Sequence, residues 1–475
     1  MRIALLSSEV VPFAKTGGLA DVSGALPKAL REHNVDARIL LPLYDQIDRE
    51  LLGRAPIESV SVEWRGQLRA TRIWQSNAAG APAYLIEAPE FFARPSVYGY
   101  PDDHARFAFF SRAALALLKH LDWQPDVLHG NDWPCGFAAV ELRSRRRYDS
   151  FFQKTKSLFS LHNVAYQGTF DPGDLWWLGF GEQPARDDFM INHAASALKA
   201  GIITADALST VSPRYAQEIQ TPEQGYGLDW LLRARSDRLA GITNGVDYTL
   251  WNPETDPHLA ANFSLDDLSG KSACKLDLLR RFSLPQDADR PILAMISRLV
   301  SQKGYDLIQQ ISGAILQTGS FVIVLGAGAP EYEDFLQRWH DQAPKQVGIY
   351  KGYAGEPLAH QIEAGADMFL MPSLYEPCGL NQMYSMRYGT VPIARATGGL
   401  DDTVENFYEA SGSGNGFKFE SYSAGALLEK IREALYFYGR PDSWAKIQRN
   451  GMAMDNSWSS AARKYLNFYE RVNEL

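Results

Sequence analysis

Two cations, Arg298 and Lys303, stand in the run Ser297-Arg298-Leu299-Val300-Ser301-Gln302-Lys303-Gly304, directly after an apolar strand-like segment. Past a strand end both can face one cleft, where arginine offers a rigid fork for phosphate and lysine a point charge. A second run, Ser373-Leu374-Tyr375-Glu376-Pro377-Cys378-Gly379-Leu380, also follows a strand-like segment. Further on come Tyr388-Gly389-Thr390-Val391-Pro392 and then Thr397-Gly398-Gly399-Leu400. This reads as one carboxylate in a stiff turn, with two helix N-termini aimed at one crevice. A lone carboxylate suits hydroxyl recognition better than hydrolysis by two carboxylates.

The first half carries its own set. Lys15-Thr16-Gly17-Gly18-Leu19-Ala20-Asp21 follows the strand-like Ile3–Ser7 and opens a helical pattern. It lacks the Gly-x-Gly-x-x-Gly dinucleotide fingerprint and the phosphate loop with its Gly-Lys-Ser/Thr. The expectation is a cradle in which free N–H groups at the helix start meet a polyoxygenated ligand. His129-Gly130-Asn131-Asp132-Trp133 and His162-Asn163-Val164-Ala165-Tyr166-Gln167-Gly168 each follow a strand. Hydroxyl partners beside aromatic rings at strand ends are what a sugar site needs. The one Asp-x-Asp triplet, Asp287-Ala288-Asp289, precedes its strand and so lies at the wrong end of a sheet for metal. No metal is expected.

These side chains need a scaffold that returns strand after strand to one edge. Strand-like runs, many apolar on both faces, alternate with helical patterns along the chain. They include Ile3–Ser7, Ala37–Leu41, Ala83–Glu87, Val127–His129, Ser157–Leu161 and Ala207–Val211. Later come Ile292–Ile296, Phe321–Leu325, Val347–Tyr350, Met368–Met371 and Val391–Ala394. That pattern predicts an α/β protein with doubly wound parallel sheets. Both halves open strand, cationic glycine loop, helix, strand, which predicts two domains of one type. Turn chemistry at Asn244-Gly245 places the break there. The expected divisions are 1–243, 244–456 and a C-terminal helix 457–475.

The chain has 475 residues, 45% of them hydrophobic and 22% charged, enough for two ordinary cores. A net charge of −9 disfavours nucleic acid as a bulk partner. No apolar run is long enough to span a bilayer, and the N-terminus reads as a strand rather than a signal peptide. Three scattered cysteines, Cys135, Cys274 and Cys378, give neither a disulfide framework nor a zinc pattern, which fits a reducing compartment.

Taken in order, Lys15 to Val22, Asn131-Asp132-Trp133, His162 to Gly168, Asn244 to Asp247, Ser297 to Gly304 and Glu376 to Leu380 resemble bacterial glycogen synthases. These are the ADP-glucose enzymes that share their type with plant starch synthases, and the likeness spans nearly the whole chain. It implies two Rossmann-like doubly wound domains facing a deep cleft (GT-B type), with a hinge near Asn244–Asp247. It implies retaining transfer of glucose from ADP-glucose to the 4-hydroxyl of an α-1,4-glucan: glycogen, starch or maltooligosaccharide. No cofactor, nucleic acid or membrane is involved, and the setting is the cytoplasm, or the plastid stroma for a plant-type enzyme.

By the same resemblance the catalytic residues are His162, Arg298, Lys303, Glu376 and Asp132. The donor side comprises Lys15, Gly18, Asn244, Tyr353 (stacking on adenine), Cys378, Gly379, Leu380, Thr397, Gly398 and Gly399. The acceptor side comprises Asp21, Tyr98, Asn163, Trp133 and Tyr166. The chain departs from the family pattern at Pro134, where histidine is usual, and at His193-Ala194, where Gly-Gln is common. Eight residues past Glu376 stands Tyr384, in keeping with the glycogen synthase branch. Two alternatives stay open: a glucosyltransferase using UDP-glucose, and a non-catalytic glucan-binding relative. The second has no need of a diphosphate clamp.

Overall fold

A computed structural model describes residues 1–352 and 355–475, with residue 356 described by its backbone alone. The chain forms two compact units. Unit 1 comprises Met1–Gly245 and Trp458–Leu475, and unit 2 comprises Val246–Ser457. The divisions fall at 245/246 and 457/458, where the sequence reading divides the chain at 243/244 and 456/457.

Unit 1 holds the strands β1 (Arg2–Leu6), β2 (Asp36–Pro42), β3 (Glu58–Trp64), β4 (Gln67–Ser76), β5 (Ala83–Glu87), β6 (Val127–Asn131) and β7 (Lys156–Leu161). After them come β8 (Thr169–Phe170), β9 (Met190–Ile191), β10 (Ala194–Ser196), β11 (Ala207–Thr210) and β12 (Leu239–Gly241). Nine of them form one sheet in the order β12-β11-β7-β6-β1-β2-β5-β4-β3, while β8, β10 and β9 make a small antiparallel sheet. The large sheet is parallel from β12 to β5 and antiparallel at β4 and β3.

That antiparallel hairpin is absent from the strands read in sequence. Its signal is there: Val60, Val62 and Trp64 face inward between polar neighbours, the period of a half-buried strand. Arg65 and Gly66, at φ 53° and 73°, supply the two positive dihedrals of a tight hairpin turn.

Unit 2 holds β13 (Ile292–Ile296), β14 (Phe321–Gly326), β15 (Val347–Lys351), β16 (Met368–Met371), β17 (Val391–Arg395) and β18 (Phe417–Phe419). Its sheet is parallel throughout, in the order β15-β14-β13-β16-β17-β18. Counted from β13 this is 3-2-1-4-5-6, the doubly wound order whose direction reverses between the first and fourth strands. Apolar runs such as Phe321–Gly326 are buried on both faces because helices cover both. Leu293, Met295, Val322 and Val324 point into one core layer, and Ile292, Ala294, Ile323 and Leu325 into the other.

The last helix, Trp458–Glu474, packs on unit 1. Trp458, Tyr465, Phe468, Tyr469 and Val472 share a core with Ile3, Leu5, Leu26 and Leu30. The Tyr469 hydroxyl meets His129 Nδ1 at 2.7 Å inside that core.

Candidate active site

In unit 2 the reversal point lies between β13 and β16, and the loops after these two strands build one cavity. It measures about 220 Å³, and Ser297, Arg298, Lys303, Ser373, Glu376, Gly379, Leu380 and Asn381 are among its walls. Open α/β sheets bind ligands at such points because adjacent loops diverge there. The two loops are tied: Leu374 N donates to Gln302 O at 2.8 Å, and Gln302 Nε2 to Tyr375 O at 3.1 Å. Gly304 is left-handed (φ 80°), and a Cβ there would lie 2.2 Å from Pro372 O. Only glycine lets the loops approach this closely.

Lys303 Nζ reaches Glu376 Oε2 at 2.5 Å, and Ser373 Oγ donates to the same oxygen at 3.0 Å. Both partners are largely buried, with side chains 19% and 9% exposed. Arg298 is exposed, and among the described residues its guanidinium has no hydrogen bond or ion pair. The N–H groups of Gly379 and Leu380 likewise have no partner among the described residues. Asn381 Nδ2 donates to Ile296 O at 2.8 Å, fixing the start of the helix Asn381–Arg387 to the end of β13. The same helix is held from behind, where the Tyr384 ring stacks on Trp251 at 3.8 Å and the Tyr388 hydroxyl donates to Asp256 at 2.6 Å.

Thr397, Gly398 and Gly399 do not present a row of free amides. Gly399 N donates to Glu376 O at 3.2 Å and Pro377 O at 3.1 Å. Gly398 (φ 45°) lies so close that a Cβ would sit 1.9 Å from Glu376 O. This glycine pair braces the Glu376 turn, a long-range contact that spacing alone does not show. The buried Cys378 lies within the braced turn. The expectation for Tyr353 falls outside the described residues.

In unit 1 the sheet reverses between β1 and β6, and the loops after β1, β6 and β7 again carry the singled-out residues. Asp132 has φ 53° and ψ −178°, a conformation that is rare for any residue but glycine and that marks stored strain. His162 N donates to Asp132 Oδ1 at 2.7 Å. Burial pushes the Asp132 carboxyl up to about 7; the N–H groups of His162 and Asn163 oppose the rise, and the charge of Glu9 adds to it. Burial also pulls His162 down to about 4, so its ring is neutral at pH 7. Asn131 Nδ2 donates to Leu6 O at 3.0 Å, which leaves Asn131 Oδ1 to accept from His162 Nε2 at 2.9 Å. The proton therefore sits on Nε2, and Nδ1 is the accepting nitrogen.

The Lys15–Asp21 loop differs from the cradle read in sequence. The N–H groups of Thr16 and Gly17 both donate to Glu9 Oε2, Gly17 at 3.0 Å, so they already hold an anion. Lys15 Nζ pairs with Asp21 Oδ1 at 2.7 Å, joining two residues assigned to opposite sides of the reaction. Gly18 is exposed at the first position of the helix Gly18–Glu32.

On the acceptor side, the Tyr98 hydroxyl donates to Glu9 Oε1 at 2.7 Å. Trp133 packs edge-on against Phe107 at 5.1 Å and beside Tyr98 at 6.1 Å, so much of its ring serves packing. Asn163 Oδ1 accepts from Ala165 N at 3.1 Å, closing its own turn, while Tyr166 stands 59% exposed. Asn244 is buried in unit 1, and its Oδ1 has no partner among the described residues. Sequence reasoning passed over Glu9, Ser373 and Asn381. The available signal was position: each is polar and follows a strand end or a turn glycine by a few residues.

Among the described residues no cluster of His, Cys, Asp or Glu is placed to hold a metal, and no helix is long and apolar enough to cross a membrane.

Residues 2–234 match the starch synthase catalytic domain, and residues 279–450 match the glycosyl transferases group 1 domain. With two doubly wound units of GT-B type, they define a glycosyltransferase. A glycogen synthase of Koribacter versatilis is 43% identical, covering 100% of this chain and 99% of that protein. Glycogen synthase 1 of Geobacter sulfurreducens is 44% identical, covering 99% and 96%. The catalytic domain of starch synthase IV from Arabidopsis thaliana, solved bound to ADP and acarbose, superposes with a TM-score of 0.91 at 34% identity, covering 100% and 99%. Sucrose-phosphate synthase from Thermosynechococcus elongatus, at 18% identity and a TM-score of 0.60 over 99% and 98%, shares the fold. The chain belongs to the glycogen synthase family.

Proposed function

We propose that this protein transfers glucose from ADP-glucose to the 4-hydroxyl at the non-reducing end of an α-1,4-glucan, with retention of configuration. The observation that carries the reading is the unit 2 cavity. There an unpaired guanidinium, a Lys303–Glu376 pair and the free N–H groups of Gly379 and Leu380 converge. Arg298 and Lys303 suit a diphosphate, and the Glu376 carboxylate suits sugar hydroxyls. Full-length identity above 40% to glycogen synthases supports the same assignment.

The C1–O bond to phosphate breaks while the C1–O4 bond to the acceptor forms on the same face. The acceptor proton passes to the departing phosphate oxygen, so no protein nucleophile is required. Catalysis is then leaving-group stabilisation by Arg298 and Lys303, together with positioning. Neutral His162 offers Nδ1 to a sugar hydroxyl, and Asp132, Tyr98, Asn163 and Tyr166 serve the acceptor. Lys15, Gly18 and Asn244 serve the donor from unit 1. A cytoplasmic location goes with this reading.

The test is incubation with ADP-glucose or UDP-glucose plus glycogen, following nucleotide release and polymer growth together. ADP release matched by chain extension is expected. Extension with UDP-glucose alone reassigns the base, and binding of glycogen without extension from either donor rejects the transferase reading.

A further inference from the structure

Behind the Lys15–Asp21 loop sits a carboxylate that the transfer chemistry does not use. Glu9 is 3% exposed. Its Oε1 accepts from the Tyr98 hydroxyl at 2.7 Å, and its Oε2 accepts from Thr16 N and from Gly17 N. The Tyr98 hydroxyl also meets Ser8 Oγ at 2.7 Å. The backbone of Glu9 is fixed as well: Ser7 Oγ donates to Glu9 O at 2.7 Å. Just beyond it, Val10 N donates to Ala14 O at 3.0 Å and Ala14 N to Val10 O at 2.9 Å, clamping the turn. A buried carboxylate persists only with such partners. Successive amides in a tight turn commonly make a concavity for an external anion. Here the occupant is the protein's own side chain.

We propose that Glu9 is a positioning residue of the transferase, locking the Lys15–Gly18 backbone and the Tyr98 hydroxyl into one register. Lys15 and Tyr98 are far apart in sequence and belong to different ligand sides in the proposed reaction. One carboxylate spans both, so its length sets their spacing. The proposal rests on the glucosyltransferase reading.

The experiment compares Glu9→Ala, Glu9→Asp and Glu9→Gln in the full chain. Aspartate is one methylene short and cannot reach the two amides and the phenol together. Glutamine keeps the reach, with its oxygen on the amides and its NH2 on the phenol oxygen. Misplacement by about 1 Å costs up to 10²-fold, so kcat should fall roughly 10–10²-fold in Glu9→Ala and Glu9→Asp. Glu9→Gln should return to within about fivefold of wild type. ADP binding, which engages the unit 2 cavity, should stay within about twofold in all three. Amide exchange at Thr16 and Gly17 should quicken in Glu9→Ala and Glu9→Asp by more than at amides elsewhere in unit 1.

Near-normal kcat in both Glu9→Ala and Glu9→Asp overturns the proposal. So does a Glu9→Gln enzyme as slow as Glu9→Ala, because the charge itself would then be required. If Glu9→Ala does not fold, Glu9→Asp decides alone. A wild-type protein inactive with nucleotide sugars defeats the functional reading instead, and the exchange measurement still reports whether Glu9 holds the loop.

Discussion

Arg298 and Lys303 carry the heaviest demand of any residues in the proposed reaction. Removing one preorganised charge donor costs on the order of 10²–10³ in kcat. Arg298→Ala and Lys303→Ala should each lose that much in coupled ADP-release assays, and near-wild-type turnover in both would sink the mechanism. Titration gives a second outcome at this scale. His129 and His162 are held neutral, burial pulling them from the ordinary 6.5 down to about 3 and about 4. Below about pH 6.5 the unfolded chain binds protons that the folded chain refuses, so stability falls as pH drops toward 4. Asp132 runs the other way: its folded value near 7 exceeds the unfolded 3.8, so its contribution is full below pH 4 and lost as pH rises through 7. In urea midpoints taken across pH 4–7.5, His162→Gln should flatten the acid-side decline and Asp132→Asn should steepen it. Arg298, Lys303 and Glu376 could be singled out as candidates in sequence because each closely follows a strand-like run. Glu9 was not, because its partner Tyr98 is 89 residues away and nothing in local spacing joins them.

At the scale of elements, the site depends on how closely loops approach one another. Gly304 and Gly398 combine positive φ with a neighbouring carbonyl within 2.2 Å and 1.9 Å of any added Cβ. Gly304→Ala must therefore push the Pro372–Glu376 loop away from the loop after β13, and Gly398→Ala must push the Glu376 turn away from the loop after β17. A loss of about 1–3 kcal/mol is the usual size for strain of this kind. Thermal unfolding should show a lower midpoint for each variant, together with weakened ADP binding; an unchanged midpoint with normal binding would mean that the loops yield freely. The parallel strands that carry these loops were readable from their doubly apolar runs, such as Phe321–Leu325. The hairpin β3–β4 and the short β12 and β18 were passed over. The hairpin alternates polar and apolar residues, and the other two strands have three residues each, too few for any period to register.

Across the whole molecule, unit 1 is completed by residues at the far end of the chain. The Tyr469 hydroxyl is bonded to buried His129, which in turn contacts Ser160 Oγ at 2.5 Å, and Ser160 meets Ser209 at 2.5 Å. Tyr469→Phe leaves His129 Nδ1 without this partner and should lower stability by about 1–3 kcal/mol. In chemical unfolding that loss should fall on unit 1, leaving ADP binding by unit 2 intact; a matching loss in both would contradict the division of the chain. Two domains of one type could be read from the repeated strand–loop–helix opening. The docking of the last helix could not be derived from its own pattern, because an amphipathic helix does not name the face it covers.

That helix also dictates an order of events at the ribosome. Residues 1–245 emerge first, yet their core lacks Trp458, Tyr465 and Tyr469 until residues 458–469 have been made. Unit 2 is continuous and closes at Ser457, one residue before that helix begins. At ~5–20 residues per second the wait lasts roughly ten to forty seconds. During that interval the apolar groove beside the helix Gly18–Glu32, over β6 and β7, is open to other nascent chains. A ribosome stalled just before codon 458 would leave unit 1 without the helix that closes its core.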